Sequence, residues 1–212
     1  MDDVTIANRA LARIGGIQIQ SFAVPGPSGH IVKATYDSVL EDLLGKYPWH
    51  FTKKTRAPLS RTAETPARWT YKFLLPPDRL APPRAIYDSA SGRRPFHDWE
   101  PEGNGILTSA SALWADYQWR PSPSWWPSYF RELVTLAVAA ELAGAVREDW
   151  QLRKSLRGEC YGSEQFQGEG GQFAVAASLD AQAQPAQEID GGHNALTTAR
   201  FSPGDAREGW DW

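Results

Sequence analysis

The sequence predicts an α+β protein: a helical bundle of about four helices, an inserted small antiparallel β unit and an extended C-terminal tail. Near both ends of residues 1–167, apolar residues recur every three or four positions, as in amphipathic helices. Within residues 51–120 they alternate with polar residues, as in half-buried strands. Residues 168–212 show neither period and are rich in Gly, Ala, Gln and acidic residues. We therefore expect a folded body over 1–167 and an acidic interaction tail over 168–212.

Two helices are predicted before the β unit. The first spans residues 2–15, where apolar residues step by three and four until two glycines end the run. The second spans residues 31–47 and ends before Pro48, because a proline disfavours the helical conformation in the residue that precedes it.

The β unit spans residues 51–120 and is interrupted by prolines. Asp98, Glu100 and Glu102 alternate within it, but Pro101 and Gly103 favour a solvated loop there. The predicted strands are 51–59, 69–75, 85–87, 105–108 and 112–119.

Two further helices follow, at residues 128–147 and 149–166. Ser128 is the predicted N-cap of the first, since a serine hydroxyl accepts a hydrogen bond from a free backbone N–H. The second presents a basic face formed by Arg153, Lys154 and Arg157.

Composition narrows the class of protein. The 212 residues include ten Trp, more than one small core needs, and large aromatic side chains dominate protein interfaces as well as cores. Lys and Arg outnumber Asp and Glu by 20 to 16 in residues 1–157, whereas residues 158–212 hold 2 against 9. This uneven distribution of charge favours an acidic tail that binds other proteins over a nucleic-acid-binding function. The acidic start and the lack of a long apolar run predict a protein made in the cytoplasm, with no membrane span.

Few residues offer catalytic or metal-binding chemistry. The four histidines, at 30, 50, 97 and 193, show no two-histidine metal spacing. Cys160 is the one cysteine, which excludes an intrachain disulfide, and nothing around it marks a nucleophile. Paired carboxylates across a cleft are also missing from the pattern. We expect no catalytic residues, no metal and no cofactor.

Two long stretches carry a family resemblance. The first runs from Ala7 to Gly16, through Ser21-Phe22 and a helix containing Tyr36, to Tyr47-Pro48-Trp49-His50-Phe51. The second contains these segments in order: 66–71, 75–80, 106–109, 112–120, 130–133 and 139–143. Together they resemble the tail tubular protein A family, the head-to-tail adaptors of short-tailed bacteriophages, over residues 4–165. The family more often has Asn where His50 stands, and the Trp-rich run 121–127 is unusual.

The resemblance implies a structural virion protein without enzymatic activity. Such adaptors form a ring of subunits, typically twelve, below the portal protein at the capsid vertex. This ring extends the DNA channel and is the attachment platform for the tail nozzle, or tubular protein B. DNA passes through during ejection without sequence-specific binding, and tail fibres are a further candidate partner.

Three groups of residues are candidates for these contacts, each with core packing or solvent exposure as its alternative. The aromatic group is expected at intersubunit or tail-side contacts, the basic group opposite the portal or a neighbour's acidic tail, and the last two tryptophans in a pocket. The aromatic group consists of Trp114, Trp119, Trp125 and Trp126. The basic group consists of Arg153, Lys154 and Arg157, and the last two tryptophans are Trp210 and Trp212.

Two other functions remain open. A DNA-binding packaging or completion factor would show steeply salt-dependent DNA affinity, which the acidic balance disfavours. A hydrolase of cell-wall sugars would need a desolvated carboxyl group among residues such as Asp98 and Glu100.

Overall fold

The computed structural model describes residues 2–23, 27–64, 66, 68–163 and 170–183. Within them the protein is α+β, as predicted, with five helices and two antiparallel sheets, so a four-helix bundle with one β unit fits it only loosely. The helices are α1 (Asp3–Arg13), α2 (Pro27–Lys46), α3 (Ser128–Ala145), α4 (Trp150–Tyr161) and α5 (Gly171–Gln182). The strands are β1 (Lys53–Pro58), β2 (Ser60–Arg61), β3 (Tyr71–Leu74), β4 (Ala85–Tyr87), β5 (Trp99–Glu102), β6 (Gly105–Thr108) and β7 (Trp114–Gln118).

The helix ends follow local capping chemistry. Asp2 caps α1 and Asp149 caps α4, each by accepting a backbone N–H hydrogen bond of 2.9 Å. The predicted N-cap at Ser128 is wrong by one residue: Pro127 holds that position, with φ −60° and ψ 156°, and supplies no side-chain bond. Gly162, at φ 77°, caps α4, which ends at Tyr161, five residues earlier than predicted.

A fifth helix occupies residues expected to have no regular structure. α5 packs against α3 and α4 and buries Phe173, Ala176 and Asp180. These positions step by three and four, but only one of the three residues is large and apolar. The helical period was therefore too weak to predict from sequence.

The β residues form two sheets, ordered β1-β7-β4 and β2-β3-β6-β5. The loop predicted around Glu100 and Glu102 is wrong, because β5 pairs with β6 in register Glu100↔Leu107 and Glu102↔Gly105. Pro101 is tolerated because β5 is an edge strand, which needs hydrogen bonds on one side only. Gly103, at φ 56°, makes the turn to β6.

The helical core is built around Trp49, which is fully buried. Its indole N–H donates a 2.7 Å hydrogen bond to the carbonyl of Leu43 in α2. Its ring makes edge contacts with Tyr47, Phe130 and Phe173, at centroid distances of 4.7, 4.9 and 5.9 Å. One side chain thus joins the end of α2 to α3 and α5. A second core, centred on Phe73, Ile86 and Ile106, lies within the β region.

Replacement of the Trp49 side chain should strongly destabilise the protein. We expect Trp49→Ala to lower the free energy of unfolding by about 3–5 kcal/mol, because it opens a cavity and leaves a helix-end carbonyl without its donor. Urea denaturation followed by far-UV circular dichroism measures the change. Trp125→Ala, at a 72% exposed position, is the matched control and should stay within about 0.5 kcal/mol of wild type. Equal losses for the two variants would contradict this account of the core.

Candidate interaction surfaces

A groove of about 1760 Å³ separates α2 from α4, with the C-terminal part of α3 as its floor. Thr35, Ser38 and Asp42 line one wall, one helical turn apart, and Lys46 closes one end by lying 4.9 Å from the Tyr161 ring centroid. The three basic residues predicted to share a helix face, Arg153, Lys154 and Arg157, line the opposite wall. The structure therefore brings this candidate group together on an open surface.

Ion pairing within the groove leaves basic groups in excess. Glu141 of α3 accepts a 2.7 Å hydrogen bond from Arg153 and a second bond from Arg157. Lys154 is exposed and makes no ion pair among the described residues. The Arg153 Nε atom is buried without a hydrogen-bond partner in the described part of the chain. In total, four basic side chains line the groove against two acidic ones, Asp42 and Glu141.

Sequence reasoning did not single out Trp150 as a candidate, but its side chain is 64% exposed at the groove. The Arg153 guanidinium carbon lies 5.3 Å from its ring centroid. The signal was present in the sequence: Trp150 immediately follows the N-cap Asp149, where the first helical turn faces solvent as easily as the core.

The adjacent tryptophans Trp125 and Trp126 have different environments. Trp126 is 2% exposed, packs edge-on against Phe130 at 5.1 Å and donates its indole N–H to the carbonyl of Pro121. Trp125, at the end of a short 3-10 helix, is 72% exposed and contacts Trp119 edge-on at 6.4 Å. Burial thus places Trp126 in the core, and Trp125 is the member of the pair displayed on the surface.

Trp119 is half-buried beside a small charged network. The Lys54 ammonium lies 4.1 Å from its ring centroid and donates a 2.6 Å hydrogen bond to Asp78, which also accepts from Tyr117 at 3.0 Å. The Lys54 hydrogen bond holds the pKa of Asp78 below its usual range, and Asp78 raises that of Lys54. Trp114, also half-buried, lies on β7 opposite Pro58 and Tyr87.

A buried polar cluster joins α5 to the body, and sequence reasoning did not identify it. Asp180 is fully buried, and its Oδ2 accepts from the His50 backbone N–H at 2.9 Å and lies 2.7 Å from His50 Nδ1. Its Oδ1 accepts a 2.7 Å bond from the Tyr129 hydroxyl, whose pKa is raised by burial and by this bond. Because the buried carboxyl group of Asp180 is bonded to Tyr129 of α3 and to His50, the cluster fastens α5 to the body.

The remaining candidate chemical groups lie apart from one another. Asp98, Glu100 and Glu102 are exposed; Glu100 accepts from the Trp69 indole at 3.1 Å, and Glu102 pairs with Lys72 at 3.0 Å. Burial raises the pKa of the Cys160 thiol to about 12, so it is a poor nucleophile at neutral pH. Over the described ranges, no three His, Cys, Asp or Glu side chains cluster as metal ligands would, and no helix is long and apolar enough to cross a bilayer.

Two candidate residues, Trp210 and Trp212, lie outside the described residues. No protein-family model matches the sequence, and a comparison with curated proteins finds no match.

The Asp180 cluster predicts how α5 responds to substitution. Asp180→Ala should cost about 2–4 kcal/mol, because it removes the acceptor for three buried or half-buried donors. Hydrogen–deuterium exchange should show residues 171–182 losing protection while α3 keeps most of its own. Tyr129→Phe, which removes one donor, should have a smaller effect of about 1 kcal/mol. Unchanged exchange in α5 after Asp180→Ala would refute the fastening role.

The Lys54–Asp78 pair predicts a pH dependence. Because the folded pKa of Asp78 is lowered, its stabilisation is present above the ordinary Asp pKa of about 4 and is lost as the pH falls through the folded value. Both side chains are more than a third exposed, so Asp78→Asn should cost less than about 1 kcal/mol at neutral pH. Urea titrations from neutral to about pH 2 should show this difference shrinking. The exposed Asp88→Asn variant is the control, and an Asp78→Asn deficit that persists at about pH 2 would contradict the pairing.

Proposed function

We propose that this chain is a structural protein of the virion of a short-tailed bacteriophage, a head-to-tail adaptor without catalytic activity. In this role it forms a ring of subunits beneath the portal protein, extends the DNA channel and provides the attachment platform for the tail nozzle or tubular protein B. The ordered sequence resemblance over residues 4–165 carries the proposal.

The residues of that resemblance have structural roles in the fold. The Tyr47–Phe51 motif contains Trp49, which joins α2 to α3 and α5. The 75–80 motif contains Asp78, which joins β1 to the end of β7 through Lys54 and Tyr117. The motifs on which the resemblance rests therefore include residues that hold the helical and β regions together.

The exposed surfaces also suit a ring of subunits. A ring interface is heterologous, meaning that unlike patches of neighbouring copies meet and the rotation closes the circle. The chain displays the exposed Trp125 beside Trp119 and a separate groove rich in basic groups. Exposed tryptophans are characteristic of interface positions that contribute much of the binding energy.

Mixing the protein with portal protein from the same genome tests the proposal. We expect sedimentation velocity to show a discrete complex heavier than either component, and negative-stain images to show a ring of subunits stacked on the portal. The mass of the complex gives the number of copies. Absence of binding to the portal at micromolar concentration would overturn the adaptor role. A steep salt dependence of DNA binding would then support the packaging-factor alternative.

The structure also corrects where the tail should be cut in such experiments. Deleting residues 168–212 would remove α5 and its buried Phe173 and Asp180, so lost assembly would report unfolding. A chain ending after Ala183 keeps α5 and tests the rest of the tail. In the proposed role, this shorter chain should assemble less well on the portal than the full chain.

A further inference from the structure

We infer that the groove between α2 and α4 is a docking site for the last eight residues of this sequence, 205–212. The inference goes beyond the adaptor role and does not depend on it. It rests on the charge and the exposed aromatic surface of the groove, and on the composition of the segment.

The groove attracts anionic side chains in limited number. Of the basic groups that line it, Arg153 and Arg157 share one carboxylate, Glu141, so this trio already carries one net positive charge. Lys154 adds another without an ion pair among the described residues.

An apolar surface lies next to these charges. Trp150 is 64% exposed, and the Arg153 guanidinium lies beside its ring. Ala145, the last residue of α3, is also exposed and lines the groove. A large exposed aromatic next to arginines is the composition expected of a binding site for an aromatic and acidic ligand.

The end of the sequence has the complementary composition. Within residues 205–212, the three acidic side chains of Asp205, Glu208 and Asp211 stand against one arginine. Trp210 and Trp212 flank Asp211, so an extended segment would present two indoles on one side and a carboxylate on the other. The 22 residues between Gln182 and Asp205 span roughly 70 Å when extended, enough to reach a groove on the same or a neighbouring copy.

A nucleic acid fits the groove less well than this segment. The groove has four basic side chains against two acidic ones, an excess that balances few phosphates, whereas a nucleic acid carries a negative charge at every nucleotide. A short acidic peptide with apolar anchors carries few charges and gains from Trp150, which a phosphate backbone would leave uncovered.

Fluorescence anisotropy with a labelled peptide of residues 201–212 tests the inference. The receptor is the full chain carrying Trp210→Ala and Trp212→Ala, so that its own segment does not compete. We expect saturable binding that weakens with added salt, and weaker apparent binding to the wild-type chain. A peptide with both tryptophans replaced by alanine should bind at least tenfold more weakly.

Matched substitutions in the receptor locate the site. Lys154→Glu with Trp150→Ala removes a free cation and an exposed indole from the groove, and should weaken peptide binding at least tenfold. Lys53→Glu with Trp125→Ala makes the same chemical change at exposed positions elsewhere and should leave it within about twofold. Circular dichroism melts check that both receptors fold.

Equal peptide affinity for the two receptors would overturn the inference. So would absence of peptide binding, or a labelled single-stranded oligonucleotide that binds the groove in place of the peptide. Because no portal protein is present, failure here leaves the adaptor proposal intact, and failure to bind the portal leaves this result intact.

Discussion

Burial of one indole, that of Trp49, is the constraint on which the helical half of the protein depends. Pro48 ends the helical conformation of α2, and the next residue turns its side chain back so that the indole N–H satisfies a carbonyl near the end of α2. The same ring receives Phe130 from α3 and Phe173 from α5. The chain then passes directly through a short 3-10 helix into β1, so this side chain also sets where the β region begins.

A helix or strand could be predicted from the sequence when the residues that determine it lie within its own segment. α1 to α4 were predicted because a long apolar stripe lies within each segment. α5 was missed because its inward stripe contains one large apolar residue and an aspartate, whose partner His50 is 130 residues away in the sequence. β5 was missed because Pro101 reads as a strand breaker unless its edge position is known. Charge patterning correctly grouped Arg153, Lys154 and Arg157, but only tertiary structure shows the groove that they line.

The aromatic surplus separates into two physical roles. Trp49 and Trp126 satisfy their indole N–H groups on backbone carbonyls and fill the core. Trp125 and Trp150 expose most of their surface next to cationic or aromatic neighbours, where a partner would gain the burial that the chain itself leaves unused. Sequence alone does not sort a tryptophan into one role or the other, since Trp125 and Trp126 are adjacent and differ completely in exposure.

The closed environment of Asp180 has a mechanical consequence. Tension applied to the chain beyond Gln182 reaches the body first through α5, whose buried carboxyl group is bonded on one side to Tyr129 of α3 and on the other to His50 beside Trp49. The Asp180 carboxyl group is fully buried beside Phe173, so we expect these bonds to break together with the packing of Phe173. α5 therefore anchors the chain that follows Gln182 to the body of the protein. A load on the chain beyond Gln182 is therefore borne by α5 and by the core side chains that it contacts.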